Sequence, residues 1–431
     1  MSNEPNPFLE KTDVFLPGEN FGVRLASLIV TGSDTVIATC QKRKGSMEDC
    51  GHDIDILANR SNDGGRTWDG QRVIFTEEGM CTYLGPLIED RVTETNYVAF
   101  FKIPSSEPKD LEHFGTYAGE DGGFWILKST DQGQSWSEPV HVKARPNRDG
   151  WIGWSNNSVH GIQLAAGPKK GRLVMPAFLY KEGEQGQAPG VRGGLLYSDD
   201  HGASWQTGAV LPPGSDEVTV AEIMGGGLYI NYRKNPPTIH EAMDEKSAFE
   251  HESPDTAYYN GHRWYARSSD YGDSFCEHGQ VQEQITPGCH AGLTCYPTDG
   301  DDHPNILLFS NPAVFYYRQP PSWNRLRLTV RASYDDGRSW PVAKLVEEGH
   351  SAYSDLAVTA DKTILCLYED QLDWPEKEVD AWYNSFSYFR KRRPYTERIS
   401  IARFNLEWLT GGKKGWPFNI GDAEERPRKR D

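Results

Sequence analysis

Four carboxylates crowd one short segment of this chain, Glu48-Asp49-Cys50-Gly51-His52-Asp53-Ile54-Asp55, just after Gln41-Lys42-Arg43. Negative neighbours raise the pKa of a carboxyl group, and an acid still protonated near neutrality can donate to a leaving oxygen. Such a cluster suits general acid chemistry, and its bland alternative is a solvated acidic loop. Other chemistries find little support. None of the twelve histidines stands at metal-ligand spacing, so no catalytic metal and no other cofactor is expected. Seven cysteines without a CxxC pair read as reduced thiols rather than a disulfide frame.

The elements that must hold such a segment announce themselves by repetition. Five copies of Ser-x-Asp-x-Gly-x-x-Trp/Phe run from Ser61 to Trp68, Ser129 to Trp136, Ser198 to Trp205, Ser268 to Phe275 and Ser333 to Trp340. Successive copies start 68, 69, 70 and 65 residues apart, a period that marks one supersecondary unit built repeatedly. Ser and Asp accept backbone N–H bonds, Gly supplies positive φ and the aromatic packs beneath, so each octet predicts a hairpin turn. Strand-like runs precede the turns, among them Phe124 to Leu127, Arg263 to Arg267 and Leu326 to Arg331. A unit of nearly 70 residues holds four short strands and their loops, the content of one propeller blade.

Five units carry the octet, and the strands after about residue 345, with help from the N-terminus, supply a sixth. The expectation is an all-β, six-bladed propeller forming a single catalytic domain over residues 1–415, with a polar tail at 416–431. No apolar run is long enough to cross a bilayer. Met1-Ser-Asn-Glu-Pro5 has neither a basic start nor an apolar stretch, so no signal peptide is visible and, with the reduced thiols, a cytoplasmic location is expected. A net charge of −17 argues against nucleic acid as a partner. Nothing in the sequence fixes the oligomeric state.

The octets, and the residues between them from about Phe21 to Leu409, resemble the sialidase (neuraminidase) superfamily, whose octets are called Asp boxes. The resemblance implies a retaining exo-glycosidase that releases terminal α-linked sialic acid from glycans through a covalent bond to a tyrosine. Such a substrate carries a carboxylate on its anomeric carbon, and planar guanidinium forks are suited to grip it. In the family three arginines do so. The matching positions are Arg24, Arg263 five residues before the fourth octet, and Arg325 before the fifth; Arg267 and Arg327 are rivals to the latter two. Arg43 has a supporting place, and Glu369 resembles the acid that orients the first arginine.

By the same resemblance Asp49 is the proton donor, although Glu48, Asp53 and Asp55 share its segment. Tyr353, in Ser351-Ala-Tyr353-Ser-Asp-Leu356, resembles the nucleophile, and Glu222, beside Glu217, resembles the base that takes its proton. Sialidases are exceptions to the two-carboxylate rule of retaining glycosidases. The physical reason is charge: a neutral phenol approaches an anomeric centre bearing a carboxylate without the repulsion an ionised acid would meet. His160, in His160-Gly-Ile-Gln-Leu164, reads as structural. Two alternatives stand beside this reading. One is a hydrolase of a related ulosonic acid such as deaminated sialic acid, with the segments Tyr232 to His262 and Trp374 to Tyr395 shaping specificity. The other is a glycan-binding propeller without activity.

Overall fold

The second strand of nearly every repeat is apolar on both faces, as in Ile306-Leu-Leu-Phe309 and Ile364-Leu-Cys-Leu367, and such strands must be covered on both sides. The outermost strands are instead polar and exposed, as Glu277 to Ile285 shows, which suits an edge that must not pair further. A stack of small sheets satisfies both demands. The computed structural model describes residues 6–106, 123–154, 157–181, 191–234, 261–298, 306–314, 325–371 and 397–412. Residues 235–260, 374–395 and the tail 416–431 lie outside them, so the expectations for those segments are not addressed.

Strand β1 (Leu9–Phe15) leads the chain, and β2 (Phe21–Val30), β3 (Val36–Lys44), β4 (Ile54–Ser61) and β5 (Arg72–Phe75) form an antiparallel meander. β6 (Met80–Asp90), β7 (Thr95–Pro104), β8 (Phe124–Ser129) and β9 (Val140–Val142) form a second, joined to the first by one parallel pair, Ile54 with Cys81. In the third, β10 (Trp151–Trp154) and β11 (Ile162–Gln163) share one edge of β12 (Leu173–Lys181), followed by β13 (Arg192–Ser198) and β14 (Gln206–Val210). The fourth comprises β15 (Ser215–Glu222), β16 (Leu228–Lys234), β17 (His262–Ser268) and β18 (Glu277–Ile285). β19 (Gly292–Tyr296), β20 (Ile306–Pro312), β21 (Leu326–Ser333) and β22 (Val342–His350) make the fifth. β23 (Ser354–Val358), β24 (Ile364–Gln371) and β25 (Glu397–Phe404) make the last, completed by β1 from the other end of the chain.

Inner strands pack in a closed circuit: β2 on β6, β6 on β11, β11 on β15, β15 on β19, β19 on β23, and β23 back on β2. An apolar core fills the space between each consecutive pair of groups, for example Tyr229, Leu293, Phe309 and Trp340 between the fourth and fifth, and Phe15, Leu28, Leu365 and Ile401 where the last meets the first. The arrangement is that of a β-propeller.

Every octet closes the turn after the third strand of its group. In the fifth, Ser333 Oγ bonds Asp335 at 2.8 Å and accepts the Gly337 N–H at 2.8 Å, while Asp335 accepts from Ser339. Gly337 has φ +81°, and a Cβ there would lie 2.4 Å from the Tyr229 ring of the preceding group, so only glycine fits. Each octet also accepts a bond from the group before it: Arg403 donates to Gly64 O, Arg72 to Gly133 O, Tyr97 to His201 O, Arg172 to Tyr271 O and Arg267 to Asp336 O. The octets thus fasten neighbour to neighbour around the ring. They sit where third strands end, which is the face opposite the starts of the inner strands.

Candidate active site

The starts of inner and third strands and the ends of second strands share one face, and there the charged residues converge. Arg24 near the start of β2 gives Nε and Nη2 to the two oxygens of Glu369 on β24, at 3.0 and 3.2 Å. Glu369 also accepts the backbone N–H groups of Leu25, at 2.8 Å, and Tyr353, at 3.3 Å. Leu25 takes φ +53° at a bulge in β2, a conformation costing a leucine about 1–2 kcal/mol, and its bond to Glu369 helps to hold it there. Burial alone would raise the Glu369 carboxyl, but Arg24, the Leu25 N–H and Arg325 outweigh it and hold the group below its ordinary value.

Tyr353, just before β23, lies between two guanidinium groups, with Arg325 5.2 Å and Arg24 5.9 Å from its ring centre. Its hydroxyl donates to Glu217, on β15. Glu217 in turn accepts from Arg233, at the end of β16, at 3.3 Å, and Arg233 also faces Asp216 at 3.7 Å. Arg325, at the start of β21, donates to Gly288 O at 3.3 Å.

Asp49, in the loop between β3 and β4, meets Arg43 Nη1 at 2.8 Å. Arg43 is wholly buried and is braced by Gln41 at 2.9 Å and Met47 O at 2.7 Å. The Asp49 side chain itself is 76% exposed. Desolvation there pushes its pKa up, but Arg43, Arg24 and Arg325 together bring it down to about 2. The expectation that acidic neighbours would raise it is corrected: the nearby charges that govern it are cationic. Asp55 is instead engaged by Lys44 and Thr76, and Asp53 by Gly79 N, whereas Asp49 is paired with Arg43.

Two sequence expectations place residues elsewhere. Glu222 ends β15, five residues from Glu217 and about 16 Å along an extended strand. Its carboxylate accepts the Ala165 and Ala166 N–H groups at 2.7 and 2.9 Å, where it ties down the turn after β11; burial, outweighing those two bonds, raises its pKa. Arg263 is wholly buried beneath the site, donating to Asn231 at 2.7 Å and Cys289 O at 2.8 Å, so it supports the pocket floor and cannot touch a ligand. Arg233, 19% exposed, is the guanidinium that the fourth group presents beside Glu217. Of the rivals, Arg327 pairs with Glu348 at the surface and Arg267 reaches the octet face. His160 is buried against Asp355 at 2.8 Å, beneath the cleft.

Glu217 and Arg233, neither of them expected as a site residue, belong to one local feature. A hairpin turning on Met224-Gly-Gly-Gly227 sets Glu222 beside the turn and puts Glu217 opposite Arg233 at the far end of the ladder. Among the described residues no group of three or more His, Cys, Asp or Glu could hold a metal ion, and no helix is long and apolar enough to cross a membrane.

The sequence profile of the BNR repeat-like domain family matches residues 35–366. This chain belongs to that family. It is similar to sialidases from Micromonospora viridifaciens, at 28% identity over 98% of this chain and 57% of the relative, and from Bacteroides fragilis, at 24% over 81% and 60%. Sialidase-2 of Cricetulus griseus is 24% identical over 84% of this chain and 92% of its own length. The chain thus spans under two thirds of the two bacterial relatives. Among solved structures, the Hadza microbial sialidase Hz136 superposes with a TM-score of 0.63 at 21% identity, over 90% of this chain and 66% of that one. The leech intramolecular trans-sialidase gives 0.65 at 16%, over 94% and 71%. The BNR repeat-like chain is a member of the sialidase superfamily, with its propeller fold.

Proposed function

We propose that this protein is a retaining exo-sialidase that cleaves terminal α-linked sialic acid by way of a tyrosyl intermediate. The observation carrying the reading is the Tyr353 hydroxyl bonded to Glu217 and flanked by Arg24 and Arg325. Arg24, Arg233 and Arg325 are the forks for the substrate carboxylate, each charge-assisted bond contributing roughly 1.5–3 kcal/mol. The chain's overall negative charge does not oppose this, because beyond about 8 Å at physiological salt it is screened and the local guanidinium groups govern the pocket.

In the first step the Tyr353 oxygen bonds the anomeric carbon while its proton passes to Glu217, and the glycosidic oxygen departs with a proton from Asp49. Asp49 then takes a proton from water as that water displaces the tyrosine, whose departing oxygen recovers its proton from Glu217. An aspartate near 2 is ionised in the empty site, so it must gain its proton in the complex. A bound carboxylate supplies the means: by neutralising Arg24 and Arg325, it removes two of the charges that hold Asp49 down.

The test combines turnover and trapping. The protein should release free sugar from a fluorogenic α-sialoside as the α-anomer, and a slowly hydrolysed fluorinated sialosyl fluoride should leave its mass on the Tyr353 peptide. Free sugar released as the β-anomer, or a label on any other residue, would overturn the mechanism. A parallel deaminated substrate decides which ulosonic acid is preferred.

A further inference from the structure

Under the phenol lies a histidine that no step above uses. His290, in the Gly288 to Ala291 run leading into β19, is 1% exposed and packs its ring on that of Tyr353, with centroids 5.5 Å apart and planes inclined at 52°. Its Nδ1 lies 2.7 Å from the Ala291 N–H and 3.0 Å from the Ala291 carbonyl. The amide can only donate and makes the shorter contact, so Nδ1 accepts and the ring proton belongs on Nε2. That Nε2 is buried and has no hydrogen-bond partner in the described structure. A buried donor without an acceptor is costly, and the aromatic ring packed against this imidazole is that of Tyr353.

We propose that His290 is a positioning residue for the reacting phenol: its imidazole, protonated on Nε2 alone, fixes the Tyr353 ring and favours the phenolate as the proton passes to Glu217. The inference rests on Tyr353 being the nucleophile. The charge it would stabilise appears when the O–H bond breaks, vanishes as oxygen bonds the anomeric carbon, and returns when water displaces the tyrosine. The same contact therefore serves both steps. Burial, with the Arg263 guanidinium, brings His290 down to about 3, outweighing the Ala291 backbone contact, Asp355 and Asp216, so the imidazole stays neutral through the working range. The charged groups around Tyr353 are Glu217 at its hydroxyl, Arg24 and Arg325 beside its ring and Glu369 at its backbone N–H, and none of them is altered by replacing His290.

Replacing His290 with Leu removes the N–H at similar volume, whereas His290→Gln keeps a donor that cannot ionise. Turnover of a fluorogenic sialoside gives kcat and KM. Ultraviolet difference titration against Tyr353→Phe gives the ionisation of that one phenol. His290→Leu should lower kcat about 10- to 100-fold with KM within about threefold, and raise the phenol's ionisation by about one pH unit or more, with Gln restoring most of both. An unmoved phenol ionisation, or an equal loss in Leu and Gln, would overturn the proposal by reducing His290 to packing. Should the Leu variant not fold, His290→Met, which also lacks the N–H, replaces it. Failure of the underlying mechanism is separately visible, because Tyr353→Phe would then remain active.

Discussion

Exchanging one oxygen for an amide in Glu217 and, separately, in Glu222 tests which glutamate serves the phenol. An ordinary phenol ionises near 10, so forming phenolate at pH 7 costs about 4 kcal/mol, or roughly a thousandfold in rate if nothing accepts the proton. Glu217 accepts the Tyr353 O–H and Glu222 does not, so Glu217→Gln should reduce kcat by about 10²–10⁴. Its amide oxygen can still receive Arg233, which keeps the fold and most of the affinity. Glu222→Gln should leave kcat within about twofold but orphan one of the Ala165 and Ala166 N–H groups, a loss of roughly 1–3 kcal/mol seen as a lower Tm. Steady-state kinetics and calorimetry on the two purified variants provide the assay. A folded Glu222→Gln without turnover, beside a Glu217→Gln near wild type, would refute the geometric argument.

The arginines give a matching contrast: Arg233→Ala should raise KM at least tenfold in a folded protein, whereas Arg263→Ala should lower Tm by removing a buried guanidinium that holds Asn231 and Cys289 O. Glu369→Gln should cost about 3–5 kcal/mol at pH 7, since it breaks a buried ion pair. Because the native Glu369 pKa is depressed, its stabilisation is complete above the unfolded glutamate value and is lost as pH falls through the folded one; Tm differences from wild type should therefore shrink below about pH 4, and a constant gap would contradict this. Gly337→Ala should destabilise by about 2–4 kcal/mol, through positive φ and the clash with Tyr229, while Gly79→Ala, with open space around it, should cost only about 1 kcal/mol in chemical denaturation.

What the sequence made legible was local. Ser, Asp, Gly and Trp at fixed offsets form the same turn wherever they occur, so all five octets could be placed without coordinates. The run around Tyr353 and the lone Glu369 were legible as a motif, and they do meet through the Tyr353 N–H. Distance to an octet was a poor guide to the second fork. Octets report the opposite face, and Arg263, second in β17, is wholly buried on Asn231 and Cys289 O whereas Arg233, next to last in β16, is partly exposed. Glu222 was preferred over Glu217 by its flanking residues, but which of two glutamates on one strand reaches a phenol 136 residues away depends on strand direction and on the ring closing. The state of Asp49 was illegible for the same reason, since its sequence neighbours are acids and its neighbours in space are arginines.

Strand β1 completes the last group by pairing Leu9 with Phe404, and Asn405 clasps the backbone at Asn6 and Phe8. A chain still emerging from the ribosome therefore leaves β1 waiting until β25 has been synthesised. Arg24 meets Glu369 only across that seam, so catalytic competence should appear abruptly once β25 has been made, and shortened nascent chains ending before residue 397 should carry a pocket with its sides but no latch.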